Sequence, residues 1–211
     1  MKRLLAIITL IAASVSLFAQ NDPDAVRILD NFSAKATKAP SVSMKFTLET
    51  IDQVEGTSNS ITGSAILSKD RYRIELPENI IWYNGETSWS YLPDVEEVTI
   101  TKPEKDDDSF MARPSSIFSV YKKDYKARLL EERTGSYLID LYPDDINSDH
   151  VRIRLEIGKP GHDLKSLEYK YKNGITIMLK VTGYDLTVQP VDSEFVFSQA
   201  KYREAEIIDM R

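Results

Sequence analysis

The run NIIWYNGETSWSYLPDVEEVTI, residues 79–100, decides the fold. Asn84-Gly85 tolerates the positive φ that a tight hairpin turn requires, so residues 80–83 and 87–91 are expected as antiparallel neighbours. Two tryptophans and two tyrosines lie along these strands, with Trp89 and Tyr91 on one face and Trp82 one strand away. A further strand is expected over 95–101, ending before Pro103.

The same period of two extends in both directions. Val42, Met44, Phe46 and Leu48 alternate with Ser43, Lys45, Thr47 and Glu49, and Tyr72, Ile74 and Leu76 alternate with Arg71, Arg73 and Glu75. In 61–67, Gly63 and Ala65 make the apolar face shallow. Downstream, 125–132, 136–142, 151–157 and 167–171 follow the rule, Asn173-Gly174 marks a hairpin into 175–181, and a brief strand closes the chain near 205–208.

Only two segments read as helical. Asp22-Pro23 supplies a cap and a first-turn proline ahead of Val26, Leu29, Phe32 and Ala36 at three- and four-residue steps. PSSIFSVY, residues 114–121, is a short proline-led helix with Ile117, Phe118 and Tyr121 on one side. The expected fold is therefore mainly β: one large curved antiparallel sheet of about 11 strands, forming an incomplete half-barrel under a small helical lid. A sheet with one apolar face and so little helix to cover it curls, and the curl leaves a groove.

Residues 1–19 read as a secretory signal peptide, with Lys2 and Arg3 before an apolar run and small residues leading to Ala19. Its removal deletes two of the 27 basic residues and none of the 33 acidic ones, moving the formal charge from −6 to −8. That balance argues against nucleic acid or an anionic membrane surface as the main partner. Residues 20–211 are expected as a single domain, and the absence of cysteine excludes disulfides and thiolate chemistry.

Sites for chemistry are few. His150 and His162 stand in turn-like stretches beside no nucleophile motif, and no phosphate loop occurs, so no catalytic residue and no cofactor are expected. Asp145, Asn147, Asp149 and Glu156 copy the spacing of an EF-hand loop, but His150 replaces its glycine and 151–157 alternates as a strand. This reads as a hairpin loop, and the acidic run Asp106, Asp107 and Asp108 as a solvated loop, so no metal site is expected. Lys122, Lys123, Lys126 and Arg128 form a basic cluster suited to guarding a strand edge or docking an acidic partner. The remaining signal is aromatic and aliphatic, and it suggests a lined cavity. Its expected sheet wall is Phe46, Leu48, Leu67, Tyr72, Ile74, Trp82, Trp89 and Tyr91, under a lid of Leu29, Phe32, Ile117 and Phe118.

In AVRILDNFSAKA, ITGSAILSKDRYRIEL, NGETSWSYLPDVEEVTI, PSSIFSVY and the ending AEIIDMR, the chain resembles the periplasmic outer-membrane lipoprotein carriers, the LolA-like family. The resemblance implies an incomplete barrel closed by a helical lid that carries lipoprotein acyl chains across the periplasm of a Gram-negative bacterium. It implies acylated lipoproteins as cargo, an inner-membrane lipoprotein-releasing ABC transporter as donor, an outer-membrane acceptor, and a monomer. Family members often hold the lid with an arginine in an Arg-Pro step. This chain has Lys69-Asp70 there, which leaves Lys69 and Arg71 as the candidates for lid control. The rival readings are a lipid- or lipoprotein-sensing regulatory module on the same scaffold and an esterase.

Overall fold

The computed structural model describes residues 21–103 and 113–211. Helix α1 (Pro23–Lys38) precedes strands β1 (Val42–Asp52), β2 (Thr57–Ser68), β3 (Arg71–Leu76), β4 (Asn79–Tyr83), β5 (Ser88–Leu92) and β6 (Glu97–Thr101). After two 3-10 turns, Pro114–Phe118 and Val120–Lys122, come β7 (Tyr125–Glu132), β8 (Ser136–Pro143), β9 (His150–Gly158), β10 (Leu164–Tyr171) and β11 (Ile175–Asp185). A 3-10 turn at Asp192–Phe195 and β12 (Glu206–Asp209) end the chain. The expected leader, 1–19, and the acidic run at 106–108 lie outside the described residues.

All twelve strands form one open sheet in the order β12-β6-β5-β4-β3-β2-β1-β11-β10-β9-β8-β7. It consists of two antiparallel meanders, β1 to β6 and β7 to β11, joined where β1 pairs with β11 from Ser43↔Asp185 to Asp52↔Ile175. The register shifts between Lys45 and Phe46, a bulge that sharpens the twist where the two halves meet. Gly63 adds to the curl, because a Cβ there would stand only 2.8 Å from the Glu75 carbonyl and the Phe46 ring. The mainly β half-barrel is as expected, with one exception to the antiparallel pattern. β12 pairs with β6 in parallel, from Glu206↔Glu97 to Asp209↔Ile100.

The cause of that exception is the route of residues 186–205. They cross the outer face of the sheet and place Phe197, Tyr202 and Ala205 over Trp82, Trp89, Tyr91 and Val98. Tyr202 stands 4.6 Å from the Tyr91 ring and 5.6 Å from Trp82, and Phe197 stands 5.7 Å from Trp82. Charge pins the strap: Arg71 pairs with Asp192 at 2.7 Å and lies over the fully buried Phe195, while Arg73 pairs with Glu194 at 2.9 Å. The outer face of β8–β10 is polar instead, with buried Asp140 held by two Arg154 nitrogens at 2.6 and 2.8 Å and Arg152 paired with Glu168.

The inner face holds the main core. Ile139, Leu141, Ile153, Leu155 and Ile157 are fully buried against Ala25, Ile28, Leu29 and Phe32 of α1. Asp22 caps the helix by accepting from Asp24 N at 2.9 Å, with Pro23 in the first turn. The residues leading into the helix also tie down the outermost strand: Asn21 Oδ1 accepts from Ala127 N, Asp22 N donates to Ala127 O, and Asp22 Oδ2 accepts from Leu129 N. An edge strand left open would otherwise invite pairing with another chain.

Two local expectations are corrected. Residues 114–121 are not one α-helix but two 3-10 turns, closed by Ser116 N to Arg113 O, Ser119 N to Ser116 O and Lys122 N to Ser119 O. Serines compete for backbone hydrogen bonds and disfavour a continued helix. The β4–β5 connection spans four residues, 84–87, where the expected strand bounds leave three, because Asn84 Oδ1 accepts from both Glu86 N and Thr87 N. Gly85 supplies the positive φ of 100°.

Trp82→Ala is expected to cost about 3–5 kcal/mol of unfolding free energy by opening the strap cluster. Urea denaturation followed by circular dichroism checks this, and a loss below about 1 kcal/mol would contradict the packing described.

Candidate functional site

Between the sheet and the first 3-10 turn lies a cavity whose lining side chains are all apolar. Met44, Phe46 and Leu48 of β1, Ala65 and Leu67 of β2, and Ile74 and Leu76 of β3 supply one wall. Leu164, Leu167 and Leu179 of β10 and β11 supply the other, and Pro114 and Ile117 form the roof. The centre of a water-sized group can move through only about 50 Å³ of it. A single water needs about 10–15 Å³ on the same measure, so the space beneath the roof admits a few methyl-sized groups and no acyl chain.

The structure divides the expected site residues between two faces. Phe46, Leu48, Leu67, Ile74 and Ile117 do line the cavity. Tyr72 is buried in the inner core with its ring 5.2 Å from Tyr83. Leu29, Phe32 and Phe118 belong to the same core, behind the roof. Trp82, Trp89 and Tyr91 lie on the opposite face, under the strap. Neighbours on β4 show why: Ile81 and Tyr83 pack inward, so Ile80 and Trp82 must point outward. Pro114, Met44, Ala65, Leu76, Leu164, Leu167 and Leu179 complete the lining, and the period-two alternation of their strands was the available signal for most of them.

A ring contact and a hydrogen bond are among the contacts that hold the lid to α1. The Phe32 and Phe118 rings stand 5.4 Å apart, and the Tyr121 hydroxyl donates to Asp30 Oδ1 at 2.5 Å. Burial, and then the Asp30 carboxylate, push the Tyr121 pKa far up, so the phenol stays a donor across the physiological range. The two lid-control candidates are elsewhere. Lys69 sits exposed in the β2–β3 turn with φ 55°, and Arg71 is engaged by Asp192 and Phe195 on the outer face.

The two histidines do not converge. His150 opens β9 and His162 follows its far end, roughly 25 Å away along a strand of nine residues. Tyr125 Oη lies 2.5 Å from His150 Nε2, and the Tyr125 ring stacks on the imidazole. Burial lowers the His150 pKa, which keeps the ring neutral and able to accept the phenol proton. Glu156 accepts from Ser136 Oγ at 2.6 Å, so it does not close a loop around Asp145 and Asp149. Among the described residues, no group of three or more His, Cys, Asp and Glu side chains is placed to hold a metal ion. The basic cluster is partly paired, Lys123 with Asp124 and Lys126 with Asp144.

The family described as outer membrane lipoprotein carrier protein LolA matches residues 15–153. This chain belongs to that family. Among solved structures, an uncharacterized conserved protein from Thermus thermophilus superposes with a TM-score of 0.54 at 12% identity, covering 88% of this chain and 99% of that one. A LolA superfamily protein from Nitrosomonas europaea gives a TM-score of 0.42 at 13% identity, covering 82% of this chain and 97% of that one. The Mycobacterium tuberculosis lipoprotein LppX gives 0.46 at 12% identity, with 80% and 98% covered. None of the curated proteins matches. Of these likenesses, the Thermus structure establishes a shared fold.

Two outcomes follow from the site. Tyr121→Phe removes the donor to Asp30 and is expected to speed hydrogen exchange of the 114–122 amides about tenfold, with global stability lowered by about 1.5 kcal/mol; mass-spectrometric exchange reads both. For His150, a folded pKa below the ordinary 6.5 means that the unfolded chain binds the proton more readily. Its contribution is fully present above about pH 6.5 and is lost as the pH falls through and below that value. Thermal melts between about pH 7.5 and 5 are expected to show a steeper loss of stability for the native protein than for His150→Gln.

Proposed function

We propose that this chain is a periplasmic carrier that takes the acyl chains of lipoproteins into the cavity beneath its lid and shuttles them from the inner to the outer membrane. The observation that carries the reading is the wholly apolar cavity roofed by Pro114 and Ile117, on a short segment that packs against α1 through Phe118 and Tyr121. Membership of the LolA family supports the cargo class. The role is binding and release without catalysis, in a chain exported through its leader.

Magnitudes favour a lid that closes when empty and opens when loaded. Lifting it exposes Ile117, Phe118 and Tyr121 and breaks the Tyr121–Asp30 hydrogen bond, which costs roughly 5–10 kcal/mol at about 1.5–3 kcal/mol for each buried side chain and about 1 kcal/mol for the bond. Burying an acyl chain of about 15 methylenes gains about 12 kcal/mol relative to water, at about 0.8 kcal/mol each. The gain exceeds the opening cost, so a tail can replace the lid contacts. A bilayer offers the tail similar apolar surroundings, so net transfer depends on the donor. An inner-membrane lipoprotein-releasing ABC transporter is the expected donor, and an outer-membrane acceptor is the expected recipient.

Native mass spectrometry of the protein purified from its own host is expected to show an acylated protein bound. Ala65→Leu, which fills the cavity, is expected to reduce that occupancy at least tenfold at a cost of about 1–3 kcal/mol in stability. Persistent recovery of empty protein after mixing with acylated protein would overturn the reading. Depletion in the host separates the rival: misplaced lipoproteins support the carrier, whereas altered signalling with normal lipoprotein placement supports a sensing module.

A further inference from the structure

The roof of the cavity has a second side. Pro114 and Ile117 face the apolar interior, while Ser115, Ser116 and Ser119 of the same segment line a cleft on its other flank. Arg113 opens that cleft, and Asp70 of the β2–β3 turn, Tyr83 at the end of β4 and Gly85 of the β4–β5 turn close it on the sheet side. Its volume is about 530 Å³, within the range of about 300–1,000 Å³ that ligand pockets occupy. One short strip of chain thus separates a small apolar space from a larger cleft of mixed polarity.

The hydroxyl groups here are available. Ser115 and Ser116 Oγ have no hydrogen-bond partner among the described residues, and Ser119 Oγ donates to Ser116 O at 3.3 Å. A hydroxyl both donates and accepts, so a row of them suits a ligand that presents donors and acceptors in turn. Neither sign of charge dominates, since Asp70 and Arg113 share the lining. A phosphate head would meet the Asp70 carboxylate, and a cationic head would meet the Arg113 guanidinium. Uncharged peptide, with alternating N–H and C=O groups, conflicts with neither.

We propose that this serine-lined cleft docks the first residues of the polypeptide that follows an acylated residue, while its acyl chains occupy the cavity beneath the lid. The inference rests on the carrier reading and adds what that reading lacks, a means of telling an acylated protein from a phospholipid with the same tails. The two recognition events share the 114–119 segment, so peptide held in the cleft bears on the roof that the tails must displace.

The test compares three probes by competition against a fluorescent fatty acid: palmitate, a dipalmitoylated cysteine followed by a short uncharged peptide, and dipalmitoylphosphatidylglycerol. The exported chain is expected to prefer the lipopeptide over the phospholipid. Ser115→Ala combined with Ser116→Ala is expected to weaken lipopeptide binding about tenfold, the effect of two lost hydrogen bonds, and to leave palmitate within about twofold. Asp70→Asn, which lies on the sheet side and leaves the lid sequence untouched, is expected to act the same way. Equal weakening of palmitate and lipopeptide overturns the proposal, because the serines would then act only on lid closure. Unchanged lipopeptide binding in both variants, or preference for the phospholipid, also overturns it. If the native chain takes up neither palmitate nor lipopeptide, the carrier reading itself falls and this one with it.

Discussion

The lid rests on the sheet through contacts that hydrocarbon can replace. Pro114 and Ile117 meet Met44, Leu67 and Leu179 across a space with no polar atom in its lining side chains, so nothing specific is lost when a methylene chain takes their place. Dispersion and water exclusion do not distinguish one aliphatic group from another. The specific contacts sit at the margin: Phe118 against Phe32, and Tyr121 on Asp30. These set where the lid closes, while the interior sets how strongly.

The second cover of the sheet obeys different rules. Residues 186–205 lie over Trp82, Trp89 and Tyr91 with ring contacts of 4.6–5.7 Å, and ion pairs from Arg71 and Arg73 fasten them at Asp192 and Glu194. Displacing this strap would open an aromatic cluster and leave Arg73 without its Glu194 partner. Ser41 Oγ donates to Val188 O at 2.7 Å and fixes the start of the crossing. β12 then adds to β6, so the strap is held at both ends.

Much of this architecture can be read from the period of the chain. Alternation in β1, β3 and β9, the Asp22-Pro23 helix start and the Asn-Gly turns identify a curved sheet with a small lid, and strand parity places Phe46 with Leu48 on one face of β1 and Tyr72 with Ile74 on one face of β3. What parity does not say is which face of each strand is inner. β4 carries large side chains on both sides, because Ile81 and Tyr83 meet the core while Ile80 and Trp82 meet the strap, whereas β5 sets Trp89 and Tyr91 toward the strap and Ser88 and Ser90 on its other side. Trp82, Trp89 and Tyr91 therefore look like the strongest cavity candidates and are not in it. The segment that covers them, with Phe195, Phe197 and Tyr202 spaced at no regular period, carries no signal that a covering strap exists. For the same reason Arg71 reads as a lid residue when it anchors the strap.

The two covers explain why one sheet can be both rigid and receptive. Covering the outer face of β3–β6 by a charge-anchored strap holds those strands in register without help from the inner side. The polar network around Asp140 does the same for β8–β10, where Arg152 and Arg154 bridge neighbouring strands. β1, β2 and β11, which line most of the cavity, lie between these two covered regions and are joined to them by continuous hydrogen-bonded ladders. The curvature that shapes the cavity is thus supported on the outer face at either side of it. A half-barrel stabilised only by its inner core would depend on its roof for its form; here the strap and the Asp140 network are contacts independent of the roof.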